Sequence, residues 1–304
     1  MTNNSAFNSD VTAAALMTGL YYDMSSGGAF MGAKESLISV DYPLMNSGCN
    51  RKKNWLHRFI KTRSGQQTFL LARSVPVYLP CKCHNRRLTY SHTTDTVIRQ
   101  QLMGEAKFTR AFCYFYLVNL FGDVPLAIST DYKVNATLYR SSVSKVYDLI
   151  IADLQDAGEL LRIDYLQADM VSVTPDRVRP NKWTAVALMA RVQLYRENWQ
   201  EAINAATRVI DNHDLYDTSS VTQVFQQASR EAIWQLQTVD KTFTDDAALF
   251  MQQRPVHISN DLLLSFEKGD LRRQHWLSAP TATNIPLSIK IVVKQMYPGK
   301  ISSC

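Results

Sequence analysis

The densest grouping of reactive side chains in the sequence is Leu79–Tyr90, LPCKCHNRRLTY. Cys81, Cys83 and His84 place two thiols and an imidazole within four positions, a donor set that suits zinc. Structural zinc takes four ligands, commonly in paired knuckles. His57 and His92, the nearest further histidines, stand at no regular spacing, so no metal site is expected. The same stretch lies in a basic run. Between Asn50 and Leu88 there are ten Lys and Arg residues and no Asp or Glu, with Trp55, Phe59 and Phe69 interleaved. Basic and aromatic residues together suit phosphate contact and base stacking. Yet the run shows no helical face of Arg and Lys and no recognisable nucleic-acid module, so no nucleic-acid partner is expected. The chain's formal charge is +6; without those ten residues the remainder carries −4. Cysteines concentrate here too: Cys49, Cys81 and Cys83 lie in or beside the run, Cys304 ends the chain, and Cys113 alone falls in a convincing helix, as a small buried hydrophobe. Five cysteines so placed make no disulfide framework.

Other chemistry is sparse. Asp245 and Asp246 are adjacent carboxylates without the further oxygen ligands that calcium needs. Gly27-Gly28 is no phosphate loop, and no Ser/His/Asp or Cys/His set has motif support. No pair of carboxylates stands out for glycoside hydrolysis. The sequence is therefore not read as an enzyme, and no cofactor is expected. Among aromatics, Trp183, Trp199 and Trp234 are assigned to the core by their spacing or strand context. Tyr165, Phe243 and Trp276 lie in loop-like text, where a ring face can pack on a pyranose. None of them is assigned as a ligand contact.

The positioning elements are mostly helical. The 304 residues are 46% hydrophobic and 20% charged, ordinary for a globular chain, and hold no run long and apolar enough for a membrane-spanning helix. The start, MTNNSAFNSDVTAAA, shows neither signal-peptide character nor a Cys for lipid attachment. A helix is predicted over Asn8–Met24, capped by Asn8 or Ser9, with Val11, Ala14, Ala15, Leu16 and Leu20 inward. A second is predicted over Thr96–Phe121, burying Ile98, Leu102, Ala106, Phe108, Phe112, Phe115, Tyr116 and Leu120, and stopped by Gly122 and Pro125. A third, Ser142–Leu161, sets Val146, Ile150, Leu154, Ala157 and Leu161 inward and Asp153, Gln155 and Glu159 in water. From Asn181 to Asn212 two Ala-rich stripes flank a break at Glu197-Asn198: Trp183, Ala187, Ala190 and Leu194, then Trp199, Ala202, Ala206 and Ile210. That pattern is a tetratricopeptide-like helical hairpin. Ala232–Val239 alternates like a short strand. Asp261–Trp276 reads as a short helix followed by a charged turn at Lys268-Gly269-Asp270.

Taken together, these stretches resemble the SusD/RagB family of outer-membrane lipoproteins. The resemblance rests on FNSDVTAAALMTGLY near the start and GEAKFTRAFCYFYLVNLFGDVPL from Gly104. It continues through RSSVSKVYDLIIADLQDAGELL from Arg140, RPNKWTAVALMARVQLYRENWQEAINAATRVID from Arg179, EAIWQLQ from Glu231 and SFEKGDLRR from Ser265. It implies a mostly α fold, a SusD-like α/α superhelix of helical hairpins with a loop-rich remainder and short strands. It implies capture of oligosaccharide or polysaccharide at the cell outer membrane for nutrient uptake, and delivery to a SusC-like TonB-dependent transporter. A helical-repeat scaffold that binds a protein partner on its concave face is the alternative.

The resemblance divides the chain into a SusD-like segment over 1–45, an anomalous basic segment over 46–92, a helical-repeat core over 93–280 and an anomalous tail over 281–304. The family carries text like YxANAIIEGL ahead of its GEAKF block. Legal codons for LPCKCHNRRL, read one base later, encode YHANAIIEGL; NIPLSIKIVVKQM, read two bases on, can encode YTPKYKNSGKTNV. Both segments are therefore read as out of frame, which accounts together for the charge skew, the stray cysteines and the missing family text. Irregular or only weakly helical structure is expected over 50–90 and 282–304. Sequencing the gene checks this: the bases under 79–88 should encode family-like peptide in a shifted frame, and their failure to do so in either other frame ends the reading.

Overall fold

The structure is a computed structural model that describes residues 9–26, 95–128, 137–227, 229–237, 260–278 and 288–289. The anomalous segment over 46–92, with its Cys81, Cys83 and His84, lies outside the described residues, as do Phe243, Asp245 and Asp246. The described residues divide into two compact units. One takes those within Met1–Asp23, Gln67–Asp217 and Ala232–Leu236; the other takes those within Met24–Gln66, Thr218–Glu231 and Gln237–Cys304.

Helix α1 (Asp10–Ser26), which belongs to the first unit as far as Asp23, begins where Ser9 accepts a hydrogen bond from the Thr12 amide at 3.3 Å. Its inward face is Ala13, Ala14, Met17, Leu20 and Tyr21. Ala14 and Leu20 are inward as expected, whereas Val11 (77% exposed), Ala15 and Leu16 point to water. Several apolar residues in a row leave the stripe's phase undetermined until a partner surface chooses it.

Helix α2 (Thr96–Phe121) has the bounds its periodicity predicts. Asp95 caps it, accepting from the Val97 amide at 2.8 Å. Gly122 closes it at φ 68°, a left-handed conformation natural to glycine, and donates to Val118 O at 2.9 Å. Leu102, Ala106, Phe108, Phe112 and Phe115 are buried as expected, whereas Leu120 is 43% exposed. The middle of this helix is enclosed on several sides, so Gln101, Glu105 and Thr109 are buried as well. Two-residue strands β1 (Val124–Pro125) and β2 (Arg140–Ser141) pair antiparallel, Val124 opposite Ser141, and return the chain to α3 (Val143–Leu160). Asp123 accepts from the Val143 amide at 3.0 Å, in place of a Ser142 side-chain cap.

The buried face of α3 carries Val146, Ile150, Leu154 and Ala157, with Leu161 just beyond its end, all as predicted. Asp153 departs from its predicted wet position: it is 2% exposed and takes both arms of Arg110 at 2.6 and 2.5 Å. Lys107 reaches Asp156 beside it. Facing charges on α2 and α3 thus clasp the two helices, a bidentate geometry that periodicity alone cannot reveal.

Helices α4 (Lys182–Tyr195) and α5 (Trp199–Ile210) form the predicted hairpin. Asn181 caps α4 in a capping box, accepting from the Thr184 amide at 3.0 Å while Thr184 accepts from Asn181. The break is built on Glu197 at φ 61°. Ala202 is buried as expected, but the other fully buried positions differ from the expected stripes: Ala185, Val186, Leu188 and Val192 on α4, and Ala205 and Val209 on α5. Trp183, Ala187 and Ala190 are half-buried, while Leu194, Trp199 and Ile210 are exposed. The expected strand over Ala232–Val239 is absent: 231–237 is irregular, joined to the fold by a Gln235 N–H to Arg177 O bond of 2.9 Å, and Val239 is not described.

In the second unit, α6 (Asn260–Leu264) and α7 (Leu271–Trp276) flank the charged turn. There Gly269 adopts φ 89° and Asp270 caps α7 by accepting from the Arg272 amide at 2.8 Å. Strands β3 (Leu277–Ser278) and β4 (Ser288–Ile289) pair antiparallel, so the tail expected to be irregular supplies at least these two paired residues.

Gly104 sets the approach of α2 to α3. A Cβ there would lie 2.8 Å from Leu161 Cγ and 3.1 Å from Leu160 Cβ. Gly104→Val should lower stability by about 1–3 kcal/mol through overpacking, despite the better helix propensity of any side chain over glycine. A fall in the urea midpoint at unchanged m-value is the expected reading, and an unchanged midpoint would contradict this packing.

Candidate functional site

A polar network crosses the core of the first unit. Glu105, fully buried on α2, accepts from Arg179 Nη1 and from the Tyr21 hydroxyl, each at 2.8 Å on Oε2, and from Gln101 Nε2 at 3.1 Å on Oε1. Arg179, 4% exposed, also donates to Thr18 Oγ1 at 2.8 Å. Gln101 accepts from the Arg162 amide at 2.9 Å and donates to Pro180 O at 3.3 Å. The network therefore joins α1, α2 and the loop that leads into α4. Burial, reinforced by the Glu105 charge, pushes the Tyr21 phenol well above its ordinary range. Every acid and base in it is consumed by a neighbour, so its role is to hold helices together. The sequence signal was a carboxylate beside the apolar stripe of Leu102, Ala106 and Phe108, and an arginine just ahead of the Pro180-Asn181 helix start.

A second cluster encloses one of the loop aromatics. Tyr165, read as lying in loop-like text where a ring can pack on a sugar but not assigned as a contact, is 3% exposed. Its hydroxyl donates to Ile233 O at 2.5 Å and so accepts from Tyr216 at 2.7 Å. The Arg177 guanidinium stands 5.7 Å from the Tyr165 ring centre and 5.1 Å from that of Tyr216, and donates to Leu215 O at 2.6 Å. Burial raises both phenols. This cluster fastens the irregular 232–236 strip to the hairpin and is closed to ligand.

The remaining aromatics sort by depth. Trp234 is half-buried, its edges packed with Tyr21, Phe108 and Phe112 at 5.1–6.0 Å between ring centres, and it donates to Val178 O at 2.8 Å. Trp183 packs beside Tyr165 and Val186. Cys113 is fully buried, as expected. Trp276 belongs to α7 rather than to a loop; its indole donates to Val221 O at 2.7 Å and meets Phe225 at 5.1 Å, so its face is partly committed. Trp199 reverses its assignment: it starts α5 at 58% exposure. Tyr139, which the sequence reading did not single out, is 91% exposed just ahead of β2.

Two depressions lie among the described residues of the first unit. One, of about 540 Å³, lies along α1 between Asp10, Val11, Thr18 and Asp169. Asp169 is held below the usual carboxylate range by the Ser172 hydroxyl and the Val171 and Ser172 amides. The other, of about 360 Å³, is a groove across α3, α4 and α5. Leu154, Ala185, Val186, Met189 and Ala205 floor it, and Gln155, Glu159, Lys182, Gln193, Glu201, Asn204 and Arg208 rim it. Among the described residues no group of three or more His, Cys, Asp or Glu could hold a metal ion, and no helix is long and apolar enough to cross a membrane.

Comparison with known proteins places these features. The model of the SusD-like family described as "Starch-binding associating with outer membrane" matches residues 7–194. A SusD-like protein of Formosa agariphila, P25, is 30% identical over 144 residues, 44% of this chain and 25% of that protein. A second from the same organism, P2, is 38% identical over 121 residues, 38% of this chain and 21% of the relative. The matched part thus spans about a quarter of these relatives' length. A SusD superfamily structure from Parabacteroides distasonis shares the fold at TM-score 0.73 and 19% identity, over 91% of this chain and 68% of that one. A SusD-like carbohydrate binding protein from Bacteroides vulgatus does so at TM-score 0.70 and 19% identity, over 89% and 61%.

The Glu105–Arg179 pair yields a test of its structural role. Glu105→Gln should cost about 3–5 kcal/mol, because it strands a buried guanidinium. Glu105→Gln with Arg179→Met should recover much of that loss in denaturant unfolding. Additive losses in the double variant would show that the two side chains act independently.

Proposed function

The chain belongs to the SusD-like family described as starch-binding and associating with the outer membrane, and on that premise we propose that it captures oligosaccharide at the bacterial outer membrane. The captured glycan passes to a SusC-like TonB-dependent transporter in the same membrane. The family match over 7–194 is the observation that carries this reading. Its chemistry is recognition: a ring face packs on the C–H face of a pyranose while side-chain amides and hydroxyls meet the sugar hydroxyls.

The described residues suit binding better than hydrolysis. Glycoside cleavage needs two carboxylates open to the substrate. Among the described residues the two buried carboxylates, Glu105 and Asp153, are each committed to an arginine, and the open acids Glu159 and Glu201 stand toward opposite ends of their groove. Open aromatic faces are present instead, at Trp199 and Tyr139.

Affinity electrophoresis in gels containing starch, and in a panel of other polysaccharides, tests the reading. Migration should slow in at least one gel, and Trp199→Ala with Tyr139→Ala should weaken retention roughly fivefold, about 1 kcal/mol. Unretarded migration in every gel, or release of reducing sugar, would sink it.

A further inference from the structure

The groove across α3, α4 and α5 lacks the ring faces on which the proposed sugar capture rests. Its floor is apolar and small, and no aromatic side chain lines it. Its rim carries two acids, Glu159 and Glu201, and two bases, Lys182 and Arg208. Among the described residues none of these four side chains has an ion-pair or hydrogen-bond partner. Elsewhere in the same unit facing charges do pair, as in Arg110–Asp153, Lys107–Asp156 and Arg196–Asp148.

The charges are also sorted along the groove. The three-residue break makes α4 and α5 antiparallel, so Lys182 in the first turn of α4 comes to the same end as Arg208 in the last turn of α5. Glu159, near the end of α3, flanks that basic end, while Glu201, in the first turn of α5, marks the other. Seven helical residues separate Glu201 from Arg208, about 10 Å along the axis, the span of about three residues of extended chain. Between the two ends, Asn204 keeps its amide N–H groups for a backbone carbonyl, its oxygen accepting from Gln200, while Gln193 at the Glu201 end is held by Asn198 and Met189.

We infer that this groove holds an extended peptide segment of a protein partner, one carrying an acidic side chain at the Lys182–Arg208 end and a basic one, about three residues away, at Glu201. A neutral glycan can hydrogen-bond these side chains but carries no charge to complement either end, and it finds no ring face on the floor. A peptide offers both charges, a hydrogen-bonding backbone and small apolar side chains for the floor.

The probe is a set of fluorescein-labelled nine-residue peptides in an Ala/Ser/Leu frame, titrated with the full chain by anisotropy at low and high salt. One carries Asp and Lys three residues apart, one reverses their order and one has neither. Maltohexaose serves as competitor. One charged order should bind at least tenfold tighter than the neutral peptide, weaken in high salt, and resist the oligosaccharide. Lys182→Ala with Arg208→Ala should remove that advantage. Glu201→Lys should weaken the charged peptide and regain binding when its Lys is replaced by Glu. These residues sit on the surface, and unchanged circular dichroism confirms folding. Equal binding of charged and neutral peptides, no binding of any peptide, displacement by maltohexaose, or no recovery in the charge-swapped pair each overturns the inference. Failure here leaves polysaccharide retention untouched, so the two readings fall separately.

Discussion

A carboxylate with no access to water must find its partners inside the protein, and Glu105 finds three. Arg179, Tyr21 and Gln101 converge on it from the loop before α4, from α1 and from one turn back on α2. Removing any one element would leave a buried charge or donor without its complement, a penalty far above that of an exposed contact. The surrounding apolar packing has no such direction. Phe108, Phe112 and Leu102 would accept several rotations of a neighbouring helix, whereas the Glu105 oxygens accept few. The polar centre thus sets the register in which α1, α2 and the α4 start meet, and Gly104 next to it lets the α3 end come close.

The same logic recurs outward. Arg110 and Lys107 hold α3 through Asp153 and Asp156, and the Tyr165–Tyr216–Arg177 cluster holds the 232–236 strip. Each joins segments far apart in the chain by a directed contact. What is left over on the surface is then informative. The hairpin leaves Trp199, Ile203 and Ile210 open on one flank of α5, and the charged groove with Glu201 and Arg208 on the other. The first is apolar and the second is not, and a helix with two such different flanks is equipped for more than one neighbour.

The buried acids among the described residues are neutralised by arginines, and the buried phenols are driven further from ionisation. These groups are structural, and the family to which the chain belongs is described as starch-binding and associating with the outer membrane.

The sequence by itself determined the helices and the family. The bounds of α2 and α3, the hairpin and its break, and the caps at Ser9, Gly122 and Asn181 follow from local signals, because helix starts and stops are set by residues within a turn of each other. Which side of each helix faces inward was decided only by tertiary structure wherever apolar residues outnumber the positions to be buried. So Val11 and Trp199 lie outside while Ala13 and Ala205 lie inside, and Asp153 and Tyr165 are buried because partners distant in the chain, Arg110 and Tyr216, meet them there. Periodicity carries the spacing of a stripe. Its phase is an outcome of packing, since only the assembled core states which face has something to touch.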